Sequence, residues 1–415
     1  MRISTLSIGD ELICGELTDT NAGTIAALLL SEGVRLQRHL VVGDNEQDII
    51  GALNDLARVS DALIVTGGLG PTADDLTSLA AARATGRRLV INEEARRHVR
   101  LMSDRLENLI FCPLSDKQAM TPTKSALIHN PNGTACGFHM MHDGCFMFFL
   151  PGVPAEMIIM LRETVIPFIM ERVPRKRVIR TASVNLFGPC EAEVDELLQG
   201  IARPGQGLSL SICVTFPWIK VTLRSEAGSD HDAADQLAPA VNSVRERLGE
   251  YCFSSGAPSM DDVVAELFRD RCLTLSLAES CSGGLIAKRI TDIPGSSRYF
   301  CEGLVTYSNA AKMRLLGVPA DLLNSCGAVS SECASAMAKG VRLASGSDLG
   351  LAVTGIAGPD GGTVDKPVGT VFISLAAPDG CWTKRFQFSG SRDEIRTMTA
   401  WTAIDWLRRY LLKKG

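Results

Sequence analysis

The chain has 415 residues, 46% hydrophobic and 21% charged, enough apolar material for roughly two to four packed domains and too little charge for long disorder. Lysine and arginine number 42 against 47 acidic residues, a net charge of −5 with no basic cluster, so binding to nucleic-acid backbone is not expected. No apolar run approaches the roughly 20 residues of a membrane span, the start turns polar at Gly9-Asp10-Glu11, too soon for a signal peptide, and the 13 cysteines include no CxxC pair. Together these point to reduced thiols in a cytoplasmic protein that does not contact membranes.

In chain order, apolar runs at Ile3–Ile8, Ala62–Thr66 and 146–150 predict strands, and helical periodicity at 21–32, 46–58 and 155–170 predicts helices. Such alternation implies an α/β domain over residues 1–172 with a mostly parallel sheet. After Val173-Pro-Arg-Lys-Arg177 the texture changes. A strand at 178–187, a helix at 190–199, alternating runs over 209–224 and a helix over Asp230–Leu248 predict a small α+β domain, 173–257, ending at the joint Gly256-Ala-Pro258. From 258 to 415 α/β alternation with a parallel or mixed sheet returns.

Two glycine-bearing loops follow strands of the first domain, Gly9-Asp10-Glu11-Leu12 and Thr66-Gly-Gly-Leu-Gly-Pro-Thr-Ala-Asp-Asp-Leu-Thr77. Carboxyl ends of strands are where open α/β sheets bind ligands. Gly67, Gly68 and Gly70 can turn backbone N–H groups toward a phosphate, and Asp74 and Asp75 could hold a hard cation such as Mg²⁺ against it. A tight turn whose aspartates cap the next helix fits the same residues.

In the last domain a strand at 273–277 runs into Leu277-Ala-Glu-Ser-Cys-Ser-Gly-Gly284 and then a helix at 285–290. Ser280, Cys281 and Ser282 thus lie at a strand-to-helix turn, with Gly283 and Gly284 permitting close approach of a ligand. A helix start offers unpaired N–H groups to a phosphate or an oxyanion, although Ser280 as a plain helix cap also fits. All six histidines lie at or before His231, so a nucleophilic serine here must use Lys, Tyr or a carboxylate as its base. Lys312 and Tyr307, in Val305-Thr-Tyr-Ser-Asn-Ala-Ala-Lys312, sit where a strand gives way to a helix; a solvated lysine and a packing tyrosine are the alternatives. Thr354-Gly-Ile-Ala-Gly-Pro-Asp-Gly-Gly362 and Lys366-Pro-Val-Gly369 mark another ligand loop. Arg392, at the start of the last helix, is free to fork onto a phosphate. Arg396, one turn on, reads as a structural ion-pair partner.

The TGGLGPTADDLT stretch, Gly9–Leu12, Asp19-Thr-Asn21 and Leu150-Pro-Gly-Val-Pro-Ala-Glu-Met157 together resemble the N-terminal domain of the CinA family, which is similar in fold to molybdopterin-binding domains. The resemblance implies metal-dependent hydrolysis of the pyrophosphate in ADP-ribose. It implies a phosphate cradle at Gly9, Gly67, Gly68, Gly70 and Thr72, with Asp10, Asp44, Asp74, Asp75 and Lys117 nearby. Lys117-Gln-Ala-Met120 and Asn130-Pro-Asn-Gly-Thr134 fit the same pattern, while Cys136 stands where proline is expected. The middle segment resembles the small KH-like domain of these proteins and, lacking a GxxG loop or a basic face, reads as a spacer or dimer contact.

ESCSGG, VTYSNxxK, TGIAGPDGG, KPVGTV and GSRDEIR resemble the CinA C-terminal domain, which implies a nicotinamide-nucleotide amidase. In that reading Ser280 attacks the carboxamide carbon of nicotinamide mononucleotide, Lys312 takes the proton and Tyr307 positions or relays it. Backbone N–H groups near Cys281 and Ser282 hold the oxyanion, Gly283 and Gly284 leave room, Thr354 and Gly355 contact substrate, and Arg392 takes its phosphate. Cys281 ranks below Ser280 as nucleophile because its spacing suits a core thiol. The implied partners are small nucleotides and a second copy in a homodimer; the amidase needs no cofactor, whereas the first domain takes a divalent metal. A nucleotide- or pterin-binding module, or a competence or DNA-damage accessory without turnover, are the competing functions.

Overall fold

The computed structural model describes residues 1–105, 115–173, 178–202 and 207–413, so the 174–177 part of the expected linker lies outside the described residues. They form two compact units, Met1–Arg180 with Ser225–Ala234, and Thr181–Arg224 with Asp235–Gly415.

The first unit begins with β1 (Ile3–Ile8), β2 (Leu36–Val42) and β3 (Ala62–Thr66). Further strands are β4 (Leu89–Ile91), β5 (Met120–Pro122), β6 (Ala126–Ile128), β7 (Gly137–His142) and β8 (Cys145–Leu150). The main sheet has the order β2-β1-β3-β8-β7-β6. Its first four strands are parallel, and β7 and β6 close it in antiparallel fashion. β1 and β3 are buried at every residue, as strands covered on both faces must be. Leu6, Ile8, Leu63 and Val65 pack with Ile49 and Leu53 of helix Glu46–Val59 on one face. Ile3 and Ile64 pack with Ile25 and Leu29 of helix Thr20–Ser31 on the other. Because the chain leaves β1 for one neighbour and comes back to β3 on the other side, the ends of β1 and β3 form a switch point where a crevice opens.

The helix expected at 155–170 is continuous but uneven. Pro154–Met160 passes through one π-helical stretch, Leu161–Val165, into Ile166–Met170. Pro167 lacks the N–H that a regular ladder would use there, and the wider turn stands just before it.

In the middle of the chain β9 (Val178–Leu186), β10 (Leu208–Thr215), β11 (Trp218–Ala227) and β12 (Cys252–Ser255) form a sheet of order β10-β11-β9-β12. Val194, Val244 and Leu248, from helices Glu191–Leu198 and Asp230–Leu248, pack on its Val184, Leu186 and Val221.

The C-terminal sheet contains β13 (Leu275–Glu279), β14 (Phe300–Val305), β15 (Leu349–Gly355), β16 (Thr370–Ala377) and β17 (Gly380–Gln387), in the order β14-β13-β15-β16-β17. β13 lies parallel to both β14 and β15, again placing a switch point at its carboxyl end. Leu275, Leu277, Leu349, Leu351 and Val353 form one face, against helices Met260–Arg271 and Arg392–Lys413. The opposite face is built of small residues, Ala278, Ala352 and Ala376, with Gly350 beside them. A Cβ on Gly350 would stand 2.3 Å from the Ala338 carbonyl oxygen, so glycine lets helix Ser331–Ser345 lie close on the sheet. Among the described residues no helix is long and apolar enough to cross a membrane, and the 12 described cysteines are all free.

Candidate active site

Strand pairing carries on past β13 and delivers Ser280 to the switch point. Ser280 N–H donates to the Val353 carbonyl at 3.1 Å, and Thr306 N–H donates to the Glu279 carbonyl at 2.8 Å. The chain then turns through Gly283 and Gly284, with φ of 62° and 92°, a region glycine enters without a Cβ penalty. On the β14 side the Ser308 hydroxyl caps helix Asn309–Leu316. That helix directs Lys312 inward, where it is only 1% exposed. Lys312 Nζ lies 3.1 Å from Ser280 Oγ and 2.7 Å from the Thr306 carbonyl oxygen. It has no carboxylate partner among the described residues, and burial pushes its pKa below the ordinary lysine value. Ser280, itself 8% exposed, faces a cleft of 210 Å³ lined also by Cys281, Tyr307, Lys312, Thr354, Gly355 and Arg392.

Several expected roles change once the geometry is known. The helix start at 285 is not open to a ligand. The Glu279 carboxylate, 1% exposed, accepts from the N–H groups of Gly284 at 3.0 Å, Ile286 at 3.1 Å and Ala287 at 2.8 Å. The protein's own anion thus occupies the site that the helix dipole would offer a phosphate. Ser282, Gly283 and Gly284 lie off the cleft; the two glycines serve the turn, and the buried Ser282 hydroxyl has no partner among the described residues. Tyr307 is 62% exposed, and its hydroxyl accepts from Arg392 Nη2 at 3.0 Å rather than meeting Ser280 or Lys312. Arg392 Nη1 donates to the Gly358 carbonyl at 2.6 Å. The Thr354 hydroxyl donates to the Ala328 carbonyl at 2.7 Å. Burial pushes the Cys281 thiol up to about 12, which leaves it protonated and a poor nucleophile. Arg396 is more than an ion-pair partner, since its Nε and Nη2 donate to the Ser282 carbonyl at 3.3 and 3.0 Å. Glu279 escaped the sequence reading, although the Glu-Ser pair entering a helix was its signal, and Arg396 was expected only as an ion-pair partner.

The first unit has its own crevice of 880 Å³ at the β1/β3 switch point. Gly9, Asp44, Gly67, Gly68, Gly70, Asp74 and Asp75 line it; Asp10 and Thr72 are exposed and do not, and Lys117 lines an adjoining cavity of 270 Å³ that shares Gly68, Gly70 and Asp75. Asp10 and Asp44 tie the loop after β1 to the loop after β2 by reciprocal bonds, each carboxylate accepting the other's backbone N–H at 2.9 Å. Asp75 accepts from Thr72 N–H at 2.8 Å and Thr72 Oγ1 at 2.6 Å; Thr72 Oγ1 also bonds Asp74, and Lys117 Nζ bonds the Thr72 carbonyl. Gly67 is required where it stands, because a Cβ would lie 2.1 Å from the Ile8 carbonyl oxygen. Asn21 and Glu156, which belong to the stretches carrying the family resemblance but had no site role in it, also line the crevice. Asn21 Nδ2 donates to the Gly152 carbonyl at 2.7 Å, and its Oδ1 is buried without a partner among the described residues. Cys136 is a buried thiol beside Ala95 and Ala119, which gives the expected-proline position a core role.

Among the described residues no group of three or more His, Cys, Asp or Glu side chains converges as a preformed metal cage. The acids fit a shared site instead. Burial raises the Asp44 pKa, and the neighbouring Asp10, Glu11 and Asp74 charges add to the rise. One or two carboxylates of this kind, joined by substrate phosphates, are how Mg²⁺ is usually held.

Residues 4–171 match a probable molybdopterin binding domain, 181–254 the damage-inducible protein CinA KH domain, and 257–411 the CinA C-terminal domain. A CinA-like protein of Geotalea uraniireducens is 56% identical over 412 residues, 99% of this chain and 98% of that one. A CinA-like protein of Geobacter sulfurreducens is 56% identical over 99% of this chain and all of its own length. The crystal structure of competence/damage inducible protein CihA from Agrobacterium tumefaciens is 40% identical, covering 38% of this chain and 99% of its own, with a TM-score of 0.36. With its three domains in one polypeptide and relatives matched from end to end, the chain belongs to the CinA family.

Proposed function

We propose that the C-terminal domain hydrolyses nicotinamide mononucleotide to nicotinate mononucleotide and ammonia. The substrate comes from the family resemblance. The observation that supports the chemistry is the 3.1 Å contact between Ser280 Oγ and a buried Lys312 with no carboxylate beside it. A desolvated lysine loses its proton more readily and can act as a general base. Ser280 Oγ attacks the carboxamide carbon while Lys312 Nζ takes its proton. The oxyanion would be received by the Cys281 N–H, which borders the cleft and has no oxygen acceptor among the described residues. Lys312 returns the proton to the departing nitrogen, and ammonia leaves an acyl-serine. Water then attacks that ester, losing a proton to Lys312, which passes it to Ser280 Oγ as the nicotinate is freed. Tyr307, bonded to Arg392, takes part in holding the nucleotide rather than in proton transfer. Acid-quenched wild-type enzyme should carry a nicotinoyl-nucleotide adduct on the Ser280 peptide by mass spectrometry. An adduct on Cys281, or turnover that persists in Ser280→Ala, would refute the assignment.

For the first domain we propose metal-dependent hydrolysis of the pyrophosphate in ADP-ribose. The glycine-rich, acid-lined crevice of 880 Å³ supports this over a binding role alone, because glycines suited to a phosphate and carboxylates suited to a cation line the same crevice. Gly67, Gly68 and Gly70 would face the phosphates, with Asp44, Asp74 and Asp75 near the ion. A divalent ion would supply charge neutralisation on the phosphoryl oxygens.

A further inference from the structure

The turn carrying Ser280 is held from two sides. From within, the Glu279 carboxylate collects the N–H groups of Gly284, Ile286 and Ala287. From outside, Arg396 of the last helix lays Nε and Nη2 on the Ser282 carbonyl at 3.3 and 3.0 Å. A Cβ on Gly283 would meet Arg396 Nη2 at an ordinary contact distance of 3.4 Å, so the glycine serves the turn's φ of 62° rather than the approach of the arginine. Gly283 N–H donates to the Ser280 carbonyl at 3.1 Å, and Leu285 N–H to the Ser282 carbonyl at 3.3 Å. From Ser280 through Ala287, then, the N–H groups without an oxygen acceptor among the described residues are those of Cys281 and Ser282. Both lie against the Cys281 thiol, and of the two residues only Cys281 borders the cleft; its amide can serve an oxyanion only if the turn is rigid, because it would otherwise rotate to find an acceptor of its own.

We infer that Arg396 is a positioning residue of the amidase site, fixing the turn from Ser280 to Ser282 so that Ser280 Oγ and the Cys281 amide keep their places at the cleft. The inference rests on the amidase reading. Arg396 does not line the cleft, so its removal should act on the transition state and not on substrate affinity. Its ion pair with Asp393, at 3.4 Å and with Asp393 89% exposed, is the kind of surface contact that contributes little. The carbonyl grip is the part that matters.

The test is steady-state ammonia release from nicotinamide mononucleotide by full-length wild type, Arg396→Ala, Arg396→Lys and Asp393→Asn, each checked for folding by circular dichroism. Arg396→Ala should lower kcat on the order of 10- to 100-fold, the scale of a misplaced or lost oxyanion donor, with KM within about 2-fold. Arg396→Lys, with one compact donor group in place of a fork, should fall between, and Asp393→Asn should match wild type. The Arg396 side chain is 30% exposed, so millimolar guanidinium should reach the gap and restore part of the kcat of Arg396→Ala. A change of overall stability would not produce that rescue. If Arg396→Ala does not fold, Arg396→Lys decides: lowered kcat at constant KM supports the inference, and unchanged kcat overturns it. A folded Arg396→Ala with full kcat, or with a raised KM alone, also overturns it while leaving the amidase reading intact. Absence of ammonia release from folded wild type removes the amidase reading, and the inference with it.

Discussion

In the proposed mechanism Lys312 is the general base, and its environment sets a pH signature. Burial favours the neutral amine, so the lysine pKa is lowered in the fold. A base works only when deprotonated, so kcat should rise with pH through that lowered value and level off below the ordinary lysine range. The same shift acts on stability: the unfolded chain binds the proton more readily, so between the folded and ordinary values stability rises with pH and is lost as pH falls. A kcat profile that is flat, or falls with pH where Lys312 deprotonates, would contradict the role. Tyr307 gives a second check. Its hydroxyl is on Arg392 and not on the Ser280–Lys312 pair, so Tyr307→Phe should keep kcat within about 3-fold of wild type and show its effect in KM. A proton relay would lose on the order of 100-fold or more in kcat.

At the scale of elements, Ser280 and Lys312 meet because β13 and β14 lie side by side in parallel, Ser280 following the one and the helix of Lys312 the other. On the same sheet Gly350 permits the close seating of helix Ser331–Ser345, and its substitution by alanine forces a Cβ within 2.3 Å of the Ala338 carbonyl. Gly350→Ala should cost about 1–3 kcal/mol, the usual cost of overpacking, read as a lowered urea midpoint; an unchanged midpoint would mean that the helix moves away freely. Much of this architecture was legible in the chain. The apolar runs gave β1, β3 and β8, and Asp230–Leu248 has the bounds its periodicity marks. β2 escaped because it is an edge strand whose central residues, Gln37 through Leu40, are exposed, leaving no clean alternation. The pairing of Ser280 with Lys312 could be anticipated because both lie at strand ends in a domain without histidine. The Tyr307–Arg392 bond could not, since 85 residues separate the partners. The expectation of an open helix start failed for a local reason: the residue before Ser280 is a glutamate, and a buried carboxylate at a helix start takes the N–H groups that a ligand would need.

The whole chain repeats one device in two domains, a crevice at the switch point of an α/β sheet, with different chemistry in each. The N-terminal crevice is lined by carboxylates and glycines, the C-terminal cleft by a serine and a lysine with no acid on them among the described residues. Their activities should therefore separate by metal dependence: a chelator, or Asp75→Ala, should end AMP release from ADP-ribose without touching the amidase. The most direct measurement is ammonia release from nicotinamide mononucleotide by wild type, Ser280→Ala and Lys312→Ala, each with and without chelator. Chelator-resistant release in wild type, reduced on the order of 1,000-fold or more in both folded variants, is the predicted result. Release that survives in either folded variant, or that stops when metal is removed, would contradict a serine–lysine amidase.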